Sequence, residues 1–229
     1  MTAIACSVAP AIANPVATVT WHEVGDAGQT LASVQQTSNP NGSSQPLTTI
    51  AGNLESGTDA DLYMISIYDP AAFSATTVGT TGFGDTQLFL LTLTGQAIYL
   101  NDDADSGTFF STLPGGSPLG PISAGLYILG VANAGYDPVN AFNELLFDIG
   151  LFTDVRGPAG NLQPTSLAGF TDNTFGFGAA GDYTITLTGA GASVPEPASL
   201  LLVAMAGVGC TLGSRRRKPA GTSADTLAA

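Results

Sequence analysis

From about Asn14 to Ser193, short apolar runs alternate with clusters of Gly, Pro, Asn and Asp. Leu62–Tyr68 runs apolar to an Asp-Pro stop; Phe73–Val78 and Thr86–Leu93 follow, the latter closed by Thr94-Gly95. Ala97–Leu100, Gly125–Val131, Leu145–Leu151 and Asp182–Thr188 are the other clear runs. They are rich in β-branched and aromatic residues and bounded by turn formers, which predicts strands of an all-β sandwich. Asp182–Thr188 has the cleanest period of two, placing Tyr183, Ile185 and Leu187 inward and the threonines outward. Stretches 38–46, 114–121 and much of 156–181 read as loops. The last is long for a compact domain, so a further strand is expected near Leu167–Phe170 or Thr174–Phe177. No amphipathic helix is predicted in this region, and no internal repeat divides it.

Composition agrees with a packed domain. The 229 residues are 44% hydrophobic, enough to bury a core, so this is no disordered acidic tail. Charge sharpens the picture. There are 18 acids against 5 bases, and Arg156 is the only base before residue 215. Such a body has no patch to neutralise phosphates, which excludes nucleic acid as a partner. The other four bases, Arg215, Arg216, Arg217 and Lys218, form one cluster near the C-terminus. Charge gathered at one end reports topology.

That cluster follows Pro195-Glu196-Pro197 and an apolar run from Ala198 to Gly213. As a helix these 16 residues would reach roughly 24 Å, short of a ~30 Å hydrocarbon core. The bases hold the cytoplasmic side and the prolines keep the approach extended. The ordered triad of Pro-Glu-Pro, apolar helix and Arg-rich end resembles the PEP-CTERM sorting signal over Val194–Lys218. The resemblance implies transit of the inner membrane and processing by exosortase, an enzyme of exopolysaccharide-producing Gram-negative bacteria. A short tail, Pro219–Ala229, extends past the usual end of such signals and reads as disordered.

Met1–Ala13 is small and apolar, and Ala11-Ile12-Ala13 offers a cleavage site; without a basic start it reads as a truncated signal peptide. Cys6 and Cys210 both lie in terminal segments, so residues 14–193 hold no thiol and must cohere by burial.

Four pieces of this body resemble the bacterial pre-peptidase C-terminal domain, a jelly-roll-like module. They are Asp59-Ala60-Asp61-Leu62-Tyr63, Asp85-Thr86-Gln87-Leu88-Phe89-Leu90, Asn101-Asp102-Asp103 and Ala124-Gly125-Leu126-Tyr127-Ile128. The likeness covers about 50–133 and implies an accessory domain without catalysis. The expected whole is a single jelly-roll-like β-sandwich followed by a hydrophobic sorting helix. Material after Asn133 exceeds the usual module.

The densest polar cluster is Asn101-Asp102-Asp103-Ala104-Asp105, with Asp85 as a further contributor. Carboxylates with an amide oxygen in a turn suit Ca²⁺, although the EF-hand template fails because Thr112 stands where its Glu should be. A solvated Asx-rich turn is the competing reading. Asp59 and Asp61 are a weaker pair, because alternation places both on a solvent face. Gly176–Gly181 spells G-x-G-x-x-G but leads into a strand, not a helix, so its glycines read as turn formers and no cofactor is expected. His22 is the only histidine and the body has no cysteine, which removes Cys-His and zinc chemistry.

No catalytic residue emerges. The leading expectation is a non-enzymatic exported surface or matrix protein of the exopolysaccharide layer, binding calcium or carbohydrate. The alternatives are a secreted polysaccharide hydrolase or its accessory domain, and a permanently membrane-anchored protein.

Overall fold

The computed structural model describes residues 19–38, 45–80, 84–160, 166–174 and 178–193. The sorting segment and its motif Pro195, Glu196, Pro197, the basic cluster and residues 1–18 lie outside them. Every regular element among the described residues is a strand. In chain order these are β1 (Val19–His22), β2 (Gln35–Gln36), β3 (Leu47–Leu54), β4 (Ala60–Ile67), β5 (Ser74–Thr76), β6 (Thr86–Thr92) and β7 (Ala97–Asn101). Then come β8 (Thr112–Leu113), β9 (Gly125–Asn133), β10 (Tyr136–Val139), β11 (Gly169–Asp172), β12 (Gly181–Thr188) and β13 (Ala190–Ala192).

Eight of these strands pair as one long hairpin folded over on itself. The outermost pair is β3 with β12, then β4 with β9, β5 with β8, and β6 with β7, all antiparallel. Successive pairs fall alternately in two sheets, in the orders β1-β3-β12-β5-β8 and β13-β4-β9-β6-β7. At Gly189 the chain leaves the first sheet for the second. Its φ is +67°, and a Cβ there would lie 2.7 Å from the Asp69 carbonyl oxygen, so glycine is required at this corner.

The sheets face each other across one core. Ile50, Tyr183, Ile185 and Leu187 of the first sheet meet Tyr63, Ile65, Leu88, Leu90 and Leu129 of the second, all essentially buried. The threonines of β12 stay exposed, as its period of two requires. The second sheet departs from a simple sandwich, because its outer face is buried too. Leu62, Phe89, Leu91, Leu100 and Ile128 form a second apolar cluster with Leu146, Phe147 and Leu167. That is why Leu88-Phe89-Leu90-Leu91 is continuously apolar: a strand covered on both faces has no polar side.

The cover is the chain between β9 and β12. Its base is clamped by Asn133, whose Oδ1 accepts from the Ala179 N–H at 2.9 Å. Buried Gln87 donates to the carbonyls of Asn133 and Tyr136. β10 and β11 then form an antiparallel ribbon, with Tyr136 stacked on Phe170 at 5.1 Å and Phe170 tilted against Phe89 at 6.0 Å. Phe147 also meets Phe89, tilted, at 6.3 Å. β11 overlaps the strand expected near Leu167–Phe170; the end of the other site, residues 175–177, lies outside the described residues.

Leu145–Leu151 is not a strand. Leu146 and Phe147 are buried in the cover while Ile149 and Leu151 are exposed, and the backbone is engaged by the isolated bridges Val139–Leu145 and Phe147–Pro158 and by a turn at Leu151. Conversely, β3 carries weak strand signals. Leu47 and Ile50 are both buried although three apart, because the register shifts at the β1–β3 pairing. Gly52 lies opposite Tyr183 and leaves room for its hydroxyl.

If the cover stabilises the second sheet by apolar packing, Phe147→Ala should destabilise the protein by about 3–5 kcal/mol. Ile122→Ala, at a residue 96% exposed, should stay within about 0.5 kcal/mol. Urea unfolding monitored by tyrosine fluorescence measures both, and equal midpoints for the two variants would contradict the packing.

Candidate cation-binding cleft

β7 ends at Asn101, and the acidic loop that follows lies against the segment 152–156 of the cover. Backbone bonds fasten the two. Leu100 and Arg156 exchange N–H to carbonyl bonds at 2.9 and 2.8 Å, and the Asp103 N–H donates to the Phe152 carbonyl at 3.0 Å. Asp85, just before β6, accepts from the Ala134 N–H through its carbonyl at 3.2 Å. Two distant parts of the sequence and the start of the cover thereby converge on one spot.

There the carboxylates of Asp85, Asp102 and Asp103 each offer an oxygen within 4.8 Å of the others. Asp102 is only 6% exposed. Its Oδ2 lies 3.7 Å from the Arg156 guanidinium, while its Oδ1 has no hydrogen-bond partner. Oδ1 of Asp85 and Nε of Arg156 are also buried without a partner. Burial pushes Asp102 up to about 7 despite the opposing pull of Arg156, with smaller additions from Asp85 and Asp103. Asp85 is pushed to about 6 by burial and then by the Asp103 charge, and Asp103 is raised for the same kinds of reason. Carboxylates crowded this way either hold protons or hold a hard cation.

Two expected ligands take other roles. The Asn101 amide donates to the Asp103 and Asp154 carbonyls and accepts from the Thr112 N–H, so its capacity is spent on the loop itself. Asp105 Oδ1 accepts from the Gly107 N–H at 2.7 Å, an Asx turn outside the cluster. Arg156 was the residue that sequence reasoning passed over. Its being the only base of the body was the available signal.

A second carboxylate cluster joins Glu23, Asp26 and Asp61. Asp59 and Asp61, expected on a solvent face, are 4% and 0% exposed. The expectation fails because Asp61 shares the inward face of β4 with Tyr63 and Ile65, while Asp59 is used in a turn. Asp59 accepts from the N–H groups of Glu55 and Ala60 and from the Gln29 amide. Tyr183 donates to Asp61 Oδ2 at 2.5 Å, and the Tyr63 and Tyr183 hydroxyls are 2.6 Å apart. With the Tyr183 proton committed to Asp61, Tyr63 is the donor of that second bond. Asp61 Oδ1 has no partner. Glu23 accepts from the N–H groups of Ala27 and Asn53, tying the end of β1 to β3.

Elsewhere His22 is exposed on β1. Gly181 opens β12, and a Cβ on Gly178 would lie 2.5 Å from the Gly57 carbonyl oxygen, a close backbone approach that fits turn formation.

Burial raises Asp61 from its ordinary 3.8 to about 8, so the folded protein carries a proton there at neutral pH. The folded state then binds more protons than the unfolded chain between these values, and stability falls as pH rises through that window. The slope from Asp61 is at most about 1.4 kcal/mol per pH unit. Asp61→Asn, which cannot ionise, should flatten the decline of urea midpoints between pH 5 and 8 in EDTA; identical slopes would contradict the assignment.

Beyond this geometry, comparison with known proteins speaks to one segment. Residues 193–218 match the PEP-CTERM protein-sorting motif, and the match reaches only the last described residue of the β-rich body. No curated protein matches the chain. The motif begins at Ser193, whose N–H and hydroxyl make the last described bonds of the body, to Thr37. A motif of this type is processed by exosortase, and the chain is an exported protein that carries a PEP-CTERM sorting signal.

Proposed function

We propose that the exported body is a non-enzymatic, Ca²⁺-stabilised jelly-roll module of the cell surface or extracellular matrix of a Gram-negative bacterium. The nested pairing of eight strands in two sheets supports the jelly-roll reading. The four segments resembling the pre-peptidase C-terminal domain support an accessory role. The exopolysaccharide layer is the environment that the sorting signal implies.

One observation carries the cation assignment: buried Asp102, with Oδ1 unpartnered, faces Asp85 and Asp103 in an open cleft. A divalent ion there removes the mutual repulsion and completes the unpaired oxygens. Ca²⁺ fits better than Mg²⁺, because flexible oxygen coordination tolerates three carboxylates drawn from two loops. In an extracellular setting an affinity of about 10⁻⁴–10⁻³ M suffices.

At about 10 mM Ca²⁺ such an affinity stabilises the native state by about 1.4–2.7 kcal/mol. For a domain of this size that is a rise in Tm of roughly 3–10 °C over EDTA. Calorimetry on the full chain in a sugar-free detergent should show this rise for the native protein and Asp61→Asn. It should vanish in Asp102→Asn and shrink in Asp103→Asn. An unchanged Tm for the native protein would leave only a solvated turn.

A further inference from the structure

The cation reading leaves the ion's shell incomplete. Ca²⁺ takes about 6–8 oxygen ligands. Asp85, Asp102 and Asp103 bring three carboxylates, and the nearest amide, Asn101, is spent on Asp103, Asp154 and Thr112. The remaining positions face a cleft of about 450 Å³, within the range of small-molecule sites, roughly 300–1,000 Å³. The geometry therefore leaves room for a ligand that supplies oxygens.

The rest of the cleft narrows its chemistry. Phe109, Ile149 and Phe152 line it and are 66%, 86% and 71% exposed, so flat apolar surface stands beside the acidic floor. Arg156 lines it as well, with Nε buried and unpartnered, a donor waiting for an acceptor. Asp137 adds a further carboxylate, which disfavours an anionic ligand. A wholly apolar ligand would leave the ion and Arg156 unsatisfied. An amine would compete with the ion instead of completing it. A saccharide meets every requirement: adjacent hydroxyls are paired neutral oxygens, a third can accept from Arg156, and the C–H face of a pyranose packs on an aromatic ring.

We propose that this cleft binds a saccharide through a bridging Ca²⁺, with vicinal hydroxyls on the ion and the sugar's apolar face against Phe152. The inference rests on the cation reading and goes past it in naming the ligand class. Phe152 is a specificity-determining residue in this arrangement, and its backbone carbonyl, bonded to Asp103, places it beside the ion.

The test uses the full chain in a sugar-free detergent and three probes: the methyl pyranosides of mannose, glucose and galactose. Saturation-transfer NMR reports their binding in Ca²⁺ and in EDTA, and calorimetry reports Ca²⁺ binding separately. At least one pyranoside should bind in Ca²⁺ and none in EDTA. Phe152→Ala should weaken that binding about tenfold while keeping the Ca²⁺-induced rise in Tm. A rise in Tm with no pyranoside bound overturns the saccharide and leaves the cation site standing. No rise removes both. Binding that persists in EDTA, or that Phe152→Ala leaves unchanged, overturns the cation-bridged geometry.

Discussion

The structure depends on one constraint: the sheet β13-β4-β9-β6-β7 is apolar on both faces. One face packs on the other sheet, and the second would be an exposed apolar surface if nothing lay over it. The chain meets this demand locally. It leaves β9, lays β10, β11 and the segment around Phe147 over Leu62, Phe89 and Ile128, and returns to β12. Asn133 and Gln87 hold the point of departure with buried hydrogen bonds. Gly130 belongs to the same solution, since a Cβ there would lie 2.1 Å from the Phe89 ring that Phe147 and Phe170 meet.

Covering the sheet also creates the cleft. The cover carries Arg156 and Phe152 to the end of β7, where the acidic loop supplies Asp102 and Asp103. Without the cover those carboxylates would be a solvated turn, well hydrated and ordinary in their proton affinity. With it, Asp102 is desolvated and only partly compensated by one guanidinium 3.7 Å away. In the proposed site the energetic debt of that burial favours a cation, and the aromatic rim offers the surface on which a sugar would pack. At the opposite cluster the solution differs: Asp61 keeps a proton and accepts from the Tyr63–Tyr183 relay.

The sequence was readable where one physical rule acted alone. β12 alternates because one of its faces is dry and the other wet, so Tyr183, Ile185 and Leu187 could be placed directly. β6 and β9 were visible as apolar runs, but their double burial was not, since a continuous run looks the same under one cover or two. Leu145–Leu151 misled for the reverse reason: Leu146 and Phe147 pack as a cover with isolated bridges alone, and Ile149 and Leu151 are left exposed. β3 was hidden by its shifted register and by Gly52. For the site, three of the five expected ligands converge, Asp85, Asp102 and Asp103. Asn101 and Asp105 do not, because each satisfies loop backbone first. The loop's contacts with the distant residues Phe152, Asp154 and Arg156 could not be read from local spacing.

In the proposed function, the cover and the acidic loop form one cation-responsive unit. Hydrogen exchange at single amides tests it most directly, at Leu100 and Asp103, whose N–H groups bond to the Arg156 and Phe152 carbonyls. Slow exchange is expected at both in EDTA and slower exchange in Ca²⁺, beyond any change at the distant Ile185 amide of β12. Rapid exchange at Leu100 and Asp103, unaffected by Ca²⁺, would contradict it.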